Sequence, residues 1–146
     1  AASTFTRLID MGIEPYLVAS TLQGVLAQRL VRQLCKICRQ PWTPTPDQIP
    51  SDCVLPAEAQ LWKSKGCREC RNSGYSGRIA IFEMLTTSSR VRSLCMEQSD
   101  ATAIRDEAVR EGMVTLRQDG WARVLAGETS LDELIRVCPL DDEEPA

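Results

Sequence analysis

Two Cys-x-x-Cys pairs, Cys35-Lys36-Ile37-Cys38 and Cys67-Arg68-Glu69-Cys70, are separated by 28 residues and bracket the least foldable stretch of the chain. Five prolines (Pro41, Pro44, Pro46, Pro50 and Pro56) fall within sixteen positions of it, so no regular element of any length is expected there. A loop of that size inside a domain needs something to hold it. A two-residue spacer lets both sulfurs of a knuckle point at one metal about 2.3 Å away, and its turn frees backbone N–H groups to donate to sulfur. Cys35, Cys38, Cys67 and Cys70 are therefore candidate ligands of a single tetrahedral Zn2+. Four protein ligands leave no position for water, so the expected role is structural. The gap is longer than the roughly 15–20 residues of the commonest ribbon, so the finger between the knuckles should be extended or looped. Gly66, Gly74 and Gly77 supply backbone for tight turns around the second knuckle. Two other readings stay open. One is a redox pair, although no thioredoxin-like βαβ surrounds either motif; the other is plain core cysteines.

The flanks say where the loop is inserted. Arg78–Leu85 is β-branched and aromatic-rich with apolar residues on both faces, which reads as a buried strand. Residues 25–34 fit a helix nearly as well as a strand. A strand at 78–85 needs a partner for its backbone groups, however, and everything after it looks helical. The expectation is an antiparallel pair, 25–34 with 78–85, and a 43-residue insertion (35–77) in the hairpin loop. Closing such a loop costs several kcal/mol by the logarithmic law, whereas a structural zinc contributes about 10–16 kcal/mol. The metal term wins. Loss of a ligand is then expected to unravel 35–77 and leave the terminal helices mostly formed.

Around the hairpin the signals are helical, giving an α+β chain. Phe5, Leu8 and Ile9 form one stripe in 3–11, stopped by Gly12, and Glu14-Pro15 opens a second helix through Leu22. Val91, Leu94 and Cys95 form a stripe. Ala101, Ile104 and Ala108 form the next, between Asp100 as N-cap and Gly112 as stop. Trp121, Val124 and Leu125 form a third, closed by Gly127, and Ser130-x-x-Glu133 is a capping box opening 131–137. Asp132 and Glu133 read as residues favoured by the helix dipole, not as an acid–base pair. Cys95, Cys138 and Trp121 are expected in the core; Cys53 has no assigned role. The expected division is 1–34, 35–77 and 78–146.

Composition narrows the function. The 146 residues are 43% apolar and 25% charged and contain no histidine, which removes Ser-His-Asp and Cys-His catalysis, Cys2His2 fingers and HExxH proteases. No GxxxxGK[ST] or GxGxxG is present. No apolar run approaches a membrane span, no signal peptide is expected, and seven cysteines argue for reduced thiols in a cytosolic chain. The net charge of −3 hides an uneven layout. Residues 29–78 carry nine Lys and Arg against four acids, while 79–146 carry seven Arg against fourteen acids, with Asp141, Asp142, Glu143 and Glu144 expected as a frayed tail. The basic residues (Arg29, Arg32, Lys36, Arg39, Lys63, Lys65, Arg68, Arg71 and Arg78) are expected to offset the −2 of a Zn(Cys)4 centre and solvate a surface. Trp42, Trp62 and Tyr75 are too few for a nucleic-acid stacking face.

Four strings resemble one family closely. They are Thr6-Arg7-Leu8-x-x-Met11-Gly12-x-Glu14-Pro15, Ala27-Gln28-Arg29-Leu30-Val31-Arg32-x-Leu34-Cys35, Gly66-Cys67-x-x-Cys70-x-x-Ser73-Gly74-Tyr75-x-Gly77-Arg78, and Thr115-Leu116-Arg117-x-Asp119-Gly120 with Leu131-x-Glu133. They are similar to the C-terminal part of the ATPases of type II secretion and type IV pilus assembly (the GspE/PilB-like secretion ATPases), from about residue 3 to 137.

The resemblance implies a cytoplasmic homo-hexamer at the bacterial inner membrane. Its RecA-like cores would hydrolyse ATP with Mg2+ to drive pseudopilus or pilus assembly against an inner-membrane platform protein. It also implies a tetracysteine zinc module inserted in a hairpin of the C-terminal domain. Relatives lacking the cysteines keep that hairpin with a short turn, which supports zinc as scaffold. Only Cys35, Cys38, Cys67 and Cys70 transfer, as metal ligands. The chain begins after the region of the Walker A, Walker B, Asp-rich and His-box motifs, so a C-terminal fragment without ATPase activity of its own is expected. An apolar face left by the missing core is expected on helices 3–11 and 14–22. The Asp-Gly-containing terminal helix favours secretion over pili. The remaining alternatives are a pilus ATPase fragment and a free-standing zinc ribbon that binds protein or nucleic acid.

Overall fold

The computed structural model describes residues 1–139; the acidic run Asp141–Glu144 lies outside them. The order is α1 (Ser3–Asp10), α2 (Pro15–Thr21), β1 (Gly24–Leu34), β2 (Gln40–Trp42), β3 (Leu61–Lys63), β4 (Tyr75–Thr86), α3 (Ser89–Met96), α4 (Ala101–Arg110), α5 (Leu116–Leu125) and α6 (Leu131–Val137). β1 and β4 pair in a two-stranded sheet. Their ends fix the direction. Thr87 N–H donates to the Gln23 carbonyl at 3.0 Å, and Cys35 N–H donates to the Gly74 carbonyl at 3.0 Å, so one strand rises as the other falls. The antiparallel pair expected from the sequence is present. β4 begins at Tyr75, three residues earlier than its apolar run suggests, because backbone pairing continues past the last buried side chain.

The insertion corrects the expectation of no regular element. β2 and β3 form a short antiparallel ladder in which Gln40 faces Lys63, Pro41 faces Trp62, and Trp42 faces Leu61. Pro41 has no N–H to give, but a three-residue strand needs few bonds, and Leu61 is held by packing at 1% exposure. Pro46–Gln48 adds a single 3-10 turn.

The chain divides into two units, residues 1–28 with 82–115 and residues 29–81 with 116 onward. In the first, Phe5, Val18, Ala19, Leu85, Val91, Leu94, Cys95, Ile104 and Ala108 form the core. Two caps set helix starts as local chemistry requires. Ser88 Oγ accepts from Val91 N–H at 3.1 Å, and Asp100 Oδ1 accepts from Ala103 N–H at 2.8 Å. The Arg92 guanidinium donates to the Ala19 carbonyl at 2.5 Å, tying α3 to α2. Met11, Ile13, Tyr16 and Leu17 are exposed on and between α1 and α2, where the apolar face was expected.

In the second unit, Val31, Leu61, Ile81, Val124, Leu131, Leu134 and Cys138 form one core, with Trp42, Ile49, Leu55 and Trp121 packed against it. The insertion therefore shares its apolar interior with α5 and α6. Trp121 Nε1 donates to the Val54 carbonyl at 3.1 Å, and the Arg117 guanidinium donates both to the Asp52 carboxylate and to the Cys138 carbonyl. The expectation that the terminal helices outlast a failed insertion is thereby narrowed to α3 and α4, which pack in the other core; α5 and α6, which share theirs with the insertion, are expected to loosen with it.

Glu133 departs from its expected role as well. Ser130 Oγ accepts from Glu133 N–H at 3.3 Å, but the reciprocal half of the capping box is not made. The Glu133 side chain is fully buried and accepts from Arg32 N–H at 2.9 Å, from Arg32 Nε and Nη2 at 2.9 and 2.7 Å, and from Arg136 Nε and Nη2 at 2.9 and 2.7 Å. A buried carboxylate is better satisfied by two guanidinium forks than by one neutral amide. Burial pushes its pKa up, but hydrogen bonds from Arg136, Arg32 and the Arg32 backbone outweigh this and hold it down to about 2.

The folded value lies below the unfolded one near 4.5, so this stabilisation is complete above about pH 5 and disappears as pH falls from about 4.5 towards 2. Glu133→Gln should cost about 2–3 kcal/mol in urea unfolding at pH 7 and flatten the loss of stability between about pH 5 and 2. An unchanged midpoint and an unchanged acid slope would contradict this assignment.

Candidate metal centre

The first knuckle leaves the end of β1, where Leu34 is buried at 2% exposure. The Cys35 carbonyl accepts from Cys38 N–H at 3.3 Å and from Arg39 N–H at 2.9 Å, which closes a turn around its sulfur. In the second knuckle Arg71 N–H donates to the Arg68 carbonyl at 3.1 Å and Asn72 N–H to the Cys67 carbonyl at 2.8 Å. Two glycines make this turn possible. Gly66 has φ +104°, and a Cβ there would lie 2.8 Å from the Asn72 carbonyl oxygen; Gly74 has φ +77°, and a Cβ there would lie 2.5 Å from Ser64 Cβ.

These turns gather all four predicted sulfurs within 4.8 Å of one another. Cys35 and Cys67 Sγ are 3.9 Å apart, Cys38 and Cys70 Sγ 3.7 Å, and Cys67 and Cys70 Sγ 3.7 Å. A tetrahedron with metal–sulfur distances of about 2.3 Å has edges of about 3.8 Å. A disulfide would need about 2.05 Å, and the cysteines are free thiols. Cys70 Sγ also accepts from Cys67 N–H and Gly74 N–H, both at 3.2 Å. The donor set could hold a metal ion, and soft sulfur in a tetrahedron suits zinc.

The electrostatics ask for a cation. Burial opposes the Cys70 thiolate, but the backbone N–H groups of Cys67 and Gly74 and the thiols of Cys67 and Cys38 outweigh it and bring its pKa down to about 6. Burial instead pushes Cys38 up to about 11. Four thiolates this close repel one another, and a dication at their centre is what lets all four ionise.

Around the knuckles the segment joining α5 to α6 is docked by contacts that no motif announces. Leu34 N–H donates to the Glu128 carbonyl at 2.8 Å, Thr129 Oγ1 to the Arg32 carbonyl at 2.7 Å, and Arg39 Nη1 to the Gly127 carbonyl at 2.6 Å. Arg39 stacks 4.5 Å above Trp62 and Arg32 4.1 Å above Tyr75, whose hydroxyl meets Ser130 Oγ at 2.7 Å. Arg29, Arg32 and Arg39 thus serve internal contacts, with Arg29 Nη1 on the Val137 carbonyl at 2.9 Å. Lys36, Lys63, Lys65, Arg68, Arg71 and Arg78 are exposed, as expected of a solvated surface. Cys53 is buried outside the cluster, its thiol pushed up to about 11 by burial and the adjacent Asp52. Cys95 and Cys138 are buried as expected.

Residues 1–136 match the family described as type II/IV secretion system protein. The type IV pilus assembly ATPase TfpB of Acinetobacter baylyi is 39% identical over 96% of this chain and 24% of its own length. The type IV pilus assembly ATPase PilB of Thermus thermophilus is 41% identical over 92% of this chain and 16% of its own length. The type II secretion system protein E of Aeromonas hydrophila is 41% identical over 94% of this chain and 27% of its own length. The chain spans about a quarter or less of the length of these relatives.

Two glycines separate turn strain from close packing. Gly77 also has positive φ (+81°), yet its nearest neighbour to a Cβ is 3.8 Å away. Gly77→Ala should cost about 1 kcal/mol in chemical unfolding, and Gly74→Ala about 3 kcal/mol with faster metal loss to a chelator. Equal losses at both sites would show that Ser64 does not confine the second knuckle.

Proposed function

The chain belongs to the family of type II/IV secretion system proteins, and on that premise we propose that it is the zinc-bearing C-terminal part of a cytoplasmic ATPase powering type II secretion. The observation that carries this reading is the four-sulfur cluster at the base of a hairpin, inside a chain that matches the family from residue 1 to 136. Cys35, Cys38, Cys67 and Cys70 would hold one Zn2+ with all positions filled. Bound there, the ion supplies a cross-link and no Lewis-acid or nucleophilic chemistry.

What this chain contributes is position. The knuckles bring residues 35 and 67 together, β2 and β3 carry Trp42 and Leu61 into the core, and Glu133 with Arg32 ties α6 to β1. ATP and Mg2+ would bind elsewhere in the full-length motor, a homo-hexamer in the reading proposed here, with the isolated chain inactive as an ATPase. The exposed Met11, Ile13, Tyr16 and Leu17 offer an apolar face to the rest of the motor. The inner-membrane platform protein is the proposed partner of the assembled machine, and no direct nucleic-acid partner is proposed. Among the described residues no helix is long and apolar enough to cross a membrane, which fits a peripheral place on the inner membrane. Asp119-Gly120 in α5 supports the secretion branch over the pilus branch.

Purified chain should contain one zinc per molecule. Cobalt substitution should give the visible and near-ultraviolet bands of tetrahedral all-thiolate Co2+, and Cys67→Ser should abolish them. ATP turnover by the chain alone should stay at background, and joining it to the preceding part of its reading frame should restore it. A folded, metal-free chain would refute the zinc reading, and ATPase activity in the isolated chain would refute the division of labour.

A further inference from the structure

The four cluster sulfurs differ in access. Cys38 and Cys67 are half-buried, whereas Cys35 and Cys70 are buried. Each half-buried sulfur touches a buried one from the opposite knuckle. Cys38 Sγ lies 3.7 Å from Cys70 Sγ, and Cys67 Sγ lies 3.9 Å from Cys35 Sγ. A third contact, Cys67 with Cys70 at 3.7 Å, lies within one knuckle and shares a sulfur with each of the other two. Of the three, only the cross-knuckle contacts can both become bonds. Closing either to the roughly 2.05 Å of a disulfide moves each sulfur by less than about 1 Å, within reach of small side-chain rotations.

We propose that peroxide converts the cluster into two cross-knuckle disulfides, Cys38–Cys70 and Cys35–Cys67, so that the insertion stays closed when its metal is given up. The half-buried thiolate of each pair attacks one peroxide oxygen. An S–O bond forms, the O–O bond breaks, hydroxide leaves, and the sulfur is oxidised to a sulfenic acid. The buried thiolate then attacks that sulfur, so the S–S bond forms, the S–O bond breaks, and a second hydroxide leaves. Two peroxides are thus reduced to four hydroxides as four thiolates become two disulfides and one dication is released. The charge of −2 on a dication with four thiolates equals that of a free dication with four hydroxides. The pairing decides the outcome. Bonds within knuckles would each span a two-residue spacer and leave 39–66 unclosed. Bonds across them join 35 to 67 and 38 to 70, which keeps β2 opposite β3. The clamp then has two locked forms, one held by metal and one by sulfur. Cys53, Cys95 and Cys138 are buried outside the cluster and are expected to remain thiols. Metal release presupposes the zinc reading above, whereas the pairing rests on the sulfur positions alone.

The test treats the metal-loaded 146-residue chain with hydrogen peroxide and follows metal release with a chromogenic chelator. Free thiols are then blocked, and disulfides are mapped by mass spectrometry after trypsin without reduction. Cleavage after Arg32, Lys36, Arg39, Lys65, Arg68 and Arg71 places the four cysteines on four separate peptides, 33–36, 37–39, 66–68 and 69–71. Peptide 33–36 joined to 66–68, and 37–39 joined to 69–71, are expected, with about two peroxides consumed per ion released. Hydrogen exchange of the oxidised chain should keep β2 and β3 protected, and a dithiol reductant with chelator should remove that protection. Any other pairing as the main product, above all one within a knuckle, overturns the proposal. So does release of the ion with the cysteines carried on to sulfinic acids, or a cluster left unmodified by excess peroxide. A chain that carries no metal before oxidation refutes the zinc reading instead, and its disulfide map still decides the pairing.

Discussion

The gathering of four sulfurs at the foot of the β1–β4 hairpin is the constraint on which the second unit depends. Residues 35–77 contain too little apolar surface and too many prolines to fold by their own propensity. Bringing Cys35 and Cys67 Sγ to 3.9 Å turns one long loop into short ones, and metal–thiolate bonding at the cluster would offset the entropy that this closure costs. Within the loop so closed, β2 and β3 pair, and Trp42 and Leu61 lie in the core shared with Val124, Leu131 and Leu134.

From there the order propagates through named bonds. The last residue of β1, Leu34, donates to Glu128, and Arg39, directly after the first knuckle, donates to Gly127. Tyr75, five residues after the second knuckle, meets Ser130 at the start of α6. Glu133, one turn further on, locks that helix to Arg32. A metal held by these four sulfurs would act as a scaffold, because the bonds that follow the knuckles set where α6 lies against β1. A pilus assembly ATPase and a type II secretion system protein E match this chain at similar identity, 39% and 41%, which is what a shared scaffold predicts.

Much of this was legible in the sequence because the signals were local. A two-residue spacer between cysteines dictates a knuckle, and all four ligand candidates converge. Asp100 and Ser130 cap helices because their side-chain oxygens satisfy an amide three residues away. The strand pair followed from a need, since the backbone of 78–85 required a partner. What escaped was non-local. Nothing in Ser130-x-x-Glu133 says that its carboxylate will prefer Arg32, 101 residues away, to the amide beside it. The prolines of the insertion argued against any strand, and the ladder of β2 and β3 exists because burial of Leu61 overrides propensity. Arg32 and Arg39 looked like solvated charge because stacking on Tyr75 and Trp62 depends on a fold that brings them together.

The most direct measurement is amide hydrogen exchange of the metal-loaded chain before and after chelation. Protection should vanish together in β2, β3 and α6 while α3 and α4 keep theirs, because only the former share the core that the sulfurs organise. Persistent protection in α6 after the metal is removed would contradict the account.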